Sequence, residues 1–230
     1  DLLTAGIGHQ KQYEVIPPGV SLGDVPDRES ARAALHIPSE SHVVLLLGRI
    51  TRIKRPDRFA EAARIVHQQI PNTHFLIAGS GDLGAELRES MEGLPSSLLG
   101  WRSDIESLLA ASDALVVTSD NEGTPLSVIQ AGLAGVPTVG TRVGGMASVV
   151  DPGQTGLLVE PDARAVADGL VTLLEREPLR SAMGAEARRQ MNAKFSTQAM
   201  IESHADLYRR MLANPNALHT LAAMWAASPD

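Results

Sequence analysis

Two stretches of this sequence combine residue types and spacings suited to a phosphorylated ligand. Gly48-Arg49-Ile50-Thr51-Arg52-Ile53-Lys54-Arg55-Pro56 follows the most apolar run of the chain and precedes a helical pattern, with five basic residues between Arg49 and Arg58. In an open α/β sheet ligands bind outside the carboxyl ends of the strands, so cations emerging there can neutralise a diphosphate. A solvated basic loop would have the same composition. The second stretch is Ser119-Asp120-Asn121-Glu122-Gly123-Thr124-Pro125-Leu126-Ser127-Val128-Ile129-Gln130-Ala131-Gly132. Thr124 is a natural N-cap and Pro125 a natural first helical residue, an arrangement that leaves the Leu126 and Ser127 amides free for an anion. Gln130 lies on the same face, about 5.4 Å further along, so a diphosphate on those amides would bring a ribose to it. A capped helix with an ordinary Gln fits as well. Glu122, beside the helix mouth, could cap the helix or hold sugar hydroxyls.

Two glycine motifs are weaker. Gly79-Ser80-Gly81-Asp82-Leu83-Gly84 fits G-x-G-x-x-G, with Asp104 following at dinucleotide-fold spacing. Asp104, however, opens a helical pattern, whereas a ribose-binding acid belongs at a strand end, so a plain strand-to-helix turn is favoured. Val143-Gly144-Gly145-Met146 allows close backbone approach to a ligand or simply marks a turn. The seven His residues include no metal-ligand spacing, and there is no nucleophile elbow, Walker loop or Asp-x-Asp pair. Neither a metal nor a cofactor is expected.

The elements that must position these stretches alternate. Strands are expected near Tyr13–Ile16, Val43–Leu47, His74–Ala78, Ser97–Leu99, Ala114–Thr118, Val136–Gly140 and Gly156–Val159. Between them apolar residues recur at helical spacing, as in Phe59, Ala62, Ala63 and Val66, or Val128, Ile129 and Leu133. This is the pattern of an α/β protein with a mainly parallel sheet. Pro56 suits a first helical turn and Gly135 a helix end. Three helical patterns follow at about Ala163–Leu174, Leu179–Lys194 and Thr197–Leu212, then a looser tail containing Trp225.

The chain has 230 residues and a net charge of −7, which argues against broad binding to a nucleic-acid backbone. It has no cysteine, so no disulfide scaffold is possible. The longest apolar run, Val43 to Leu47, is far short of the roughly 18 residues of a spanning helix.

The order Gly-Arg-x4-Lys, Gly-x-Gly, Leu-Gly-Trp, Thr-Ser-Asp-Asn-Glu-Gly-Thr-Pro, Ala-Gly-Val-Pro, Val-Gly-Gly and Gln-Thr-Gly-Leu-Leu-Val resembles the family 4 retaining glycosyltransferases, specifically their C-terminal donor domain. The resemblance runs from about Val15 to Ser196. It implies an α/β fold with a Rossmann-like three-layer parallel sheet flanked by helices, the C-terminal half of a GT-B architecture, with extra C-terminal helices. It further implies a lead-in segment over residues 1–20 from an absent N-terminal acceptor domain, a nucleotide-sugar-binding domain over 21–175, and helices over 176–230 that pack on it or reach toward the absent domain. The partners implied are a nucleoside diphosphate sugar, with UDP favoured, and that acceptor domain; the location implied is cytoplasmic, at most peripheral to a membrane.

By the same resemblance Arg49 and Lys54, after Gly48, match the basic pair on the donor phosphates. Glu122 matches the first acid of a Glu-x7-Glu motif, near donor-sugar hydroxyls. Gly123, Thr124, Leu126 and Ser127 match the phosphate-cradling loop, and Trp101 and Arg102 the segment beside the nucleobase. Three positions depart from the family. Gln130 replaces the second acid and offers the ribose one acceptor and one donor in place of a carboxylate, so weaker donor binding is expected. Pro125 stands where many members have Gly, and Ser148 where Glu is common. The implied reaction transfers a sugar from the nucleotide to an acceptor hydroxyl with retention, and this chain alone is expected to bind donor without turnover. The alternatives are a sugar-nucleotide epimerase of the same architecture and a non-catalytic homologue, for which Gln130 is the best evidence.

Overall fold

The computed structural model describes residues 4–10 and 13–213; the expected tail with Trp225 lies outside the described residues. The chain divides into a larger compact unit, Ser21–Asn192, and a smaller one drawn from its two ends.

The larger unit contains a six-stranded parallel sheet: β1 (His42–Leu47), β2 (Thr73–Ala78), β3 (Ser96–Leu98), β4 (Ala114–Val117), β5 (Thr138–Thr141) and β6 (Gly156–Val159), in the order β3-β2-β1-β4-β5-β6. In β1 and β4, Val43, Val44, Leu45, Ala114 and Leu115 are fully buried. Unbroken apolar runs are what a parallel strand covered on both faces requires. Register places Val44 opposite Phe75 in β2 and Ala114 in β4.

Helices cover both faces. On one side α2 (Pro56–Gln69), α3 (Gly84–Ser90) and α7 (Ala163–Glu175) pack through Phe59, Val66, Leu87, Val166 and Leu170. The other side carries α1 (Arg28–Ala34), α4 (Ile105–Ala111) and α5 (Leu126–Ala134). A short α6 (Met146–Val149) follows β5, and α8 (Glu177–Phe195) follows α7. The expected three-layer parallel α/β fold is therefore present. Because β1 leads outward through β2 and β3 while β4 leads the opposite way, the order reverses between β1 and β4, and a cleft opens at their carboxyl ends.

At the opposite end, Asp113 opens β4 with its side chain only 2% exposed. It accepts from Arg28 at 2.7 Å, Arg32 at 3.0 Å and the Val43 amide at 2.8 Å, with Arg180 of α8 3.4 Å away. One carboxylate thus ties α1, β1, β4 and α8 together.

In the smaller unit α9 (Thr197–Ala213) packs closely on the chain near Gly19, where an added Cβ would lie 2.8 Å from the Thr197 Cα. The expected strand at Tyr13–Ile16 does not form. Val15 is 90% exposed and no strand pairs with it, so its apolar alternation has no sheet to join. Among the described residues no helix is long and apolar enough to cross a membrane.

Candidate functional site

The cleft is built by the segments that leave β1, β2, β3 and β4. After β1 the backbone turns at Gly48 (φ +150°), and Gly79 after β2 (φ +145°) lies directly against it. A Cβ on Gly79 would sit 1.7 Å from the Gly48 carbonyl oxygen, and one on Gly81 2.1 Å from that of Ile50. The Ile50 amide donates to Ser80 O at 3.0 Å. The glycines of Gly79-x-Gly81 therefore let two loops interlock, which favours the plain-turn reading over a dinucleotide fingerprint.

A 3-10 turn, Arg52–Lys54, carries the Lys54 side chain and ends at Arg55, which is left-handed (φ +53°). This uncommon conformation is held from several sides. The Thr118 hydroxyl donates to the Lys54 carbonyl at 2.8 Å, and the Asp120 amide to Ile53 O at 2.9 Å. Arg55 forks onto Asp57 and reaches Asp120; Arg58, buried, donates to Thr118 O and to Asp120 Oδ1 at 2.8 Å. These bonds, from Arg58 first and then Arg55, hold the Asp120 carboxyl below the usual range. Of the five basic residues, then, Arg55 and Arg58 fasten the loop, whereas the side chains of Arg49 and Arg52 have no hydrogen-bond or ion-pair partner among the described residues.

Glu122 is 8% exposed at its side chain, and its Oε1 accepts from Lys54 Nζ at 2.7 Å and from Ser119 Oγ at 2.6 Å. It does not cap α5, which removes the capping alternative for this acid. Gly144 and Gly145 press on its loop from behind. A Cβ on Gly145 would lie 1.8 Å from Gly123 O, and the Gly145 amide donates to Glu122 O at 2.7 Å. The paired glycines thus serve backbone-to-backbone packing.

The expectation at Thr124 needs correcting. Pro125 (ψ +105°, extended) is itself the N-cap, α5 begins at Leu126, and no side chain caps it. A proline held extended cannot be the first helical residue, so Thr124 is one position too early to cap. The consequence for the amides is unchanged: those of Leu126 and Ser127 have no partner among the described residues. The far end of α5 is closed by Gly135 (φ +80°) and by Arg188, which donates to Ala134 O at 2.6 Å.

A cleft of about 470 Å³ gathers Gly48, Arg49, Lys54, Trp101, Arg102, Glu122, Thr124, Leu126, Ser127 and Gln130. Gly123 lies behind it, against Gly145. Trp101 is 75% exposed. Arg102 forks onto Asp104 at 2.7 and 2.6 Å, which holds the Asp104 carboxyl below its ordinary range. Sequence reasoning included Thr118 and Ser119 in the Thr-Ser-Asp-Asn-Glu-Gly-Thr-Pro motif but gave neither a role; both are buried. Among the described residues no three His, Asp or Glu side chains cluster as a metal site.

A family model described as "Glycosyl transferases group 1" matches residues 27–190. The D-inositol 3-phosphate glycosyltransferase of Corynebacterium urealyticum is 30% identical over 226 residues, covering 90% of this chain and 53% of that protein. Among solved structures, the sucrose-phosphate synthase from Thermosynechococcus elongatus aligns with a TM-score of 0.76 at 30% identity, over 87% of this chain and 53% of that one. Anabaena Alr3699/HepE, solved in complex with UDP, shares the fold with a TM-score of 0.82 at 23% identity, over 90% and 60%. The chain spans about half the length of the curated relatives it matches.

Proposed function

We propose, from the premise that this chain belongs to the group 1 glycosyl transferases, that it is the donor-binding part of a retaining enzyme that moves a sugar from a nucleoside diphosphate to an acceptor hydroxyl. The observation that carries this reading is the convergence, in one cleft at the β1/β4 switch point, of Arg49, Lys54, the free amides of α5, Glu122 and Gln130. The diphosphate lies on the Leu126 and Ser127 amides between Arg49 and Lys54, the ribose at Gln130, the base beside Trp101 and Arg102, and the sugar near Glu122. In HepE the bound nucleotide is UDP, which supports UDP as the first candidate here.

In the reaction the bond from the anomeric carbon to the β-phosphate oxygen breaks, and a bond to the acceptor oxygen forms on the same face. The acceptor proton passes to the departing phosphate. Negative charge therefore grows on the diphosphate, where Arg49, Lys54 and the positive end of α5 stabilise it. Because the chain spans about half the length of its relatives, this reading assigns the acceptor-binding wall to the remaining half, and these residues alone bind donor without transferring sugar. Among the described residues no histidine lines the cleft, so nothing there supports the epimerase alternative.

Calorimetric titration with UDP, GDP and ADP, with NAD as control and Lys54→Ala in parallel, tests the reading. Saturable binding of one diphosphate, weakened by the substitution and absent for NAD, is expected. A folded chain that binds none of the three would overturn it.

A further inference from the structure

Glu122 carries out two tasks with one carboxylate: its Oε1 meets Lys54, and its Oε2 has no hydrogen-bond partner among the described residues. A carboxylate held by one partner alone can swing to another rotamer unless something fixes it. Ser119 is built to do so. It is 1% exposed, its Oγ donates to Glu122 Oε1 at 2.6 Å, and its own carbonyl is held by the Thr141 hydroxyl of β5 at 2.6 Å and by Arg58. The hydroxyl thus comes from a backbone fastened to two neighbouring elements and reaches a carboxylate three residues along.

Resting on the donor-site reading above, we propose that Ser119 is a positioning residue: it fixes the orientation of the Glu122 carboxylate so that one oxygen stays on Lys54 and the other stays available to a donor-sugar hydroxyl. Lys54 uses one of its three protons on Glu122, and the others remain for phosphate. The ion pair then couples the two ends of the donor, and Ser119 sets the geometry of that coupling.

The test is a double-mutant cycle read by calorimetry on this chain, with UDP and the tightest-binding of UDP-glucose, UDP-galactose and UDP-N-acetylglucosamine as probes. Ser119→Ala is expected to weaken the sugar nucleotide about tenfold and UDP by less than about threefold, on the scale of one hydrogen bond to a charged group. Glu122→Ala should do likewise, and the double variant should be no worse than Glu122→Ala alone. Ser119→Cys, a weaker donor of nearly the same shape, guards against loss of fold, checked by circular dichroism; it should lie between wild type and Ala. Additive losses, or equal losses for UDP and the sugar nucleotide, with saturable wild-type binding, would overturn the role of Ser119 alone. A folded wild type that binds no probe would overturn the donor reading and this role with it.

Discussion

Lys54 Nζ and Glu122 Oε1 lie 2.7 Å apart although 68 residues separate them in sequence. The two side chains come from the loops after β1 and β4, the strands between which the sheet reverses direction, and each is fixed by its own set of bonds. The cation that would meet phosphate is therefore already paired before any ligand arrives. An ion pair of this kind, largely removed from water on the acid's side, leaves a costly buried charge if one partner is removed. Binding at this site should accordingly depend on neighbours that share the ligand's charge and hydroxyls, Gln130 among them.

Gln130→Glu should raise affinity for UDP by about fivefold, since a carboxylate accepts from both ribose hydroxyls through charge-assisted bonds worth on the order of 1 kcal/mol. Titration with 2′-deoxyuridine diphosphate should show a smaller gain. An equal gain for both nucleotides would move Gln130 away from the ribose.

Gly79→Ala should cost about 3 kcal/mol or more, because its Cβ would overlap the Gly48 carbonyl oxygen in a backbone conformation foreign to L side chains. Gly48→Ala has the same conformational strain but nothing within 4 Å of the new Cβ, so roughly 1–2 kcal/mol is expected. Thermal melts of the two variants should rank them in that order.

Asp113→Asn should destabilise the larger unit by about 3–5 kcal/mol, since Arg32 and Arg180 would stay buried around a neutral group. The site lies at the end of the sheet opposite the cleft, so the fraction that remains folded should bind UDP as wild type does. Urea denaturation and titration of the same preparation separate the two effects.

Stability should fall in two stages as pH is lowered from 7. Burial pushes His42 and His74 below the ordinary histidine range, so between about pH 6.5 and their folded values the unfolded chain binds more protons and stability declines. Asp120, Asp57 and Asp104 are held low by Arg58, Arg55 and Arg102; their contribution is present above about pH 3.9 and is lost as pH falls through the lower folded values. Replacing both histidines by Gln should flatten the first stage of a melting-temperature profile and leave the second.

The strands were legible where burial on both faces demanded unbroken apolar runs, as at Val43 to Leu47. Tyr13–Ile16 has a comparable local pattern, yet pairing depends on a neighbour that local pattern does not contain. Helix ends set by one residue's own geometry, Pro56 and Gly135, were legible too. The start of α5 was displaced because the extended backbone of Pro125 depends on the loop before it. The cleft residues could be collected from sequence because they follow strands whose carboxyl ends share one edge. What fastens them could not: Arg58 to Asp120 and Ser119 to Thr141 join distant segments, and Arg55 and Arg58 look the same in composition as Arg49, whose side chain has no partner among the described residues.

The approach of Gly144 and Gly145 to the Glu122 loop bears on how a ligand would be received. Two backbones in contact leave little room for the loop to sample other shapes, so the ordering entropy is lost on folding instead of on association. Binding to such a preorganised cradle needs no loop rearrangement, and its rate would be set by encounter and charge.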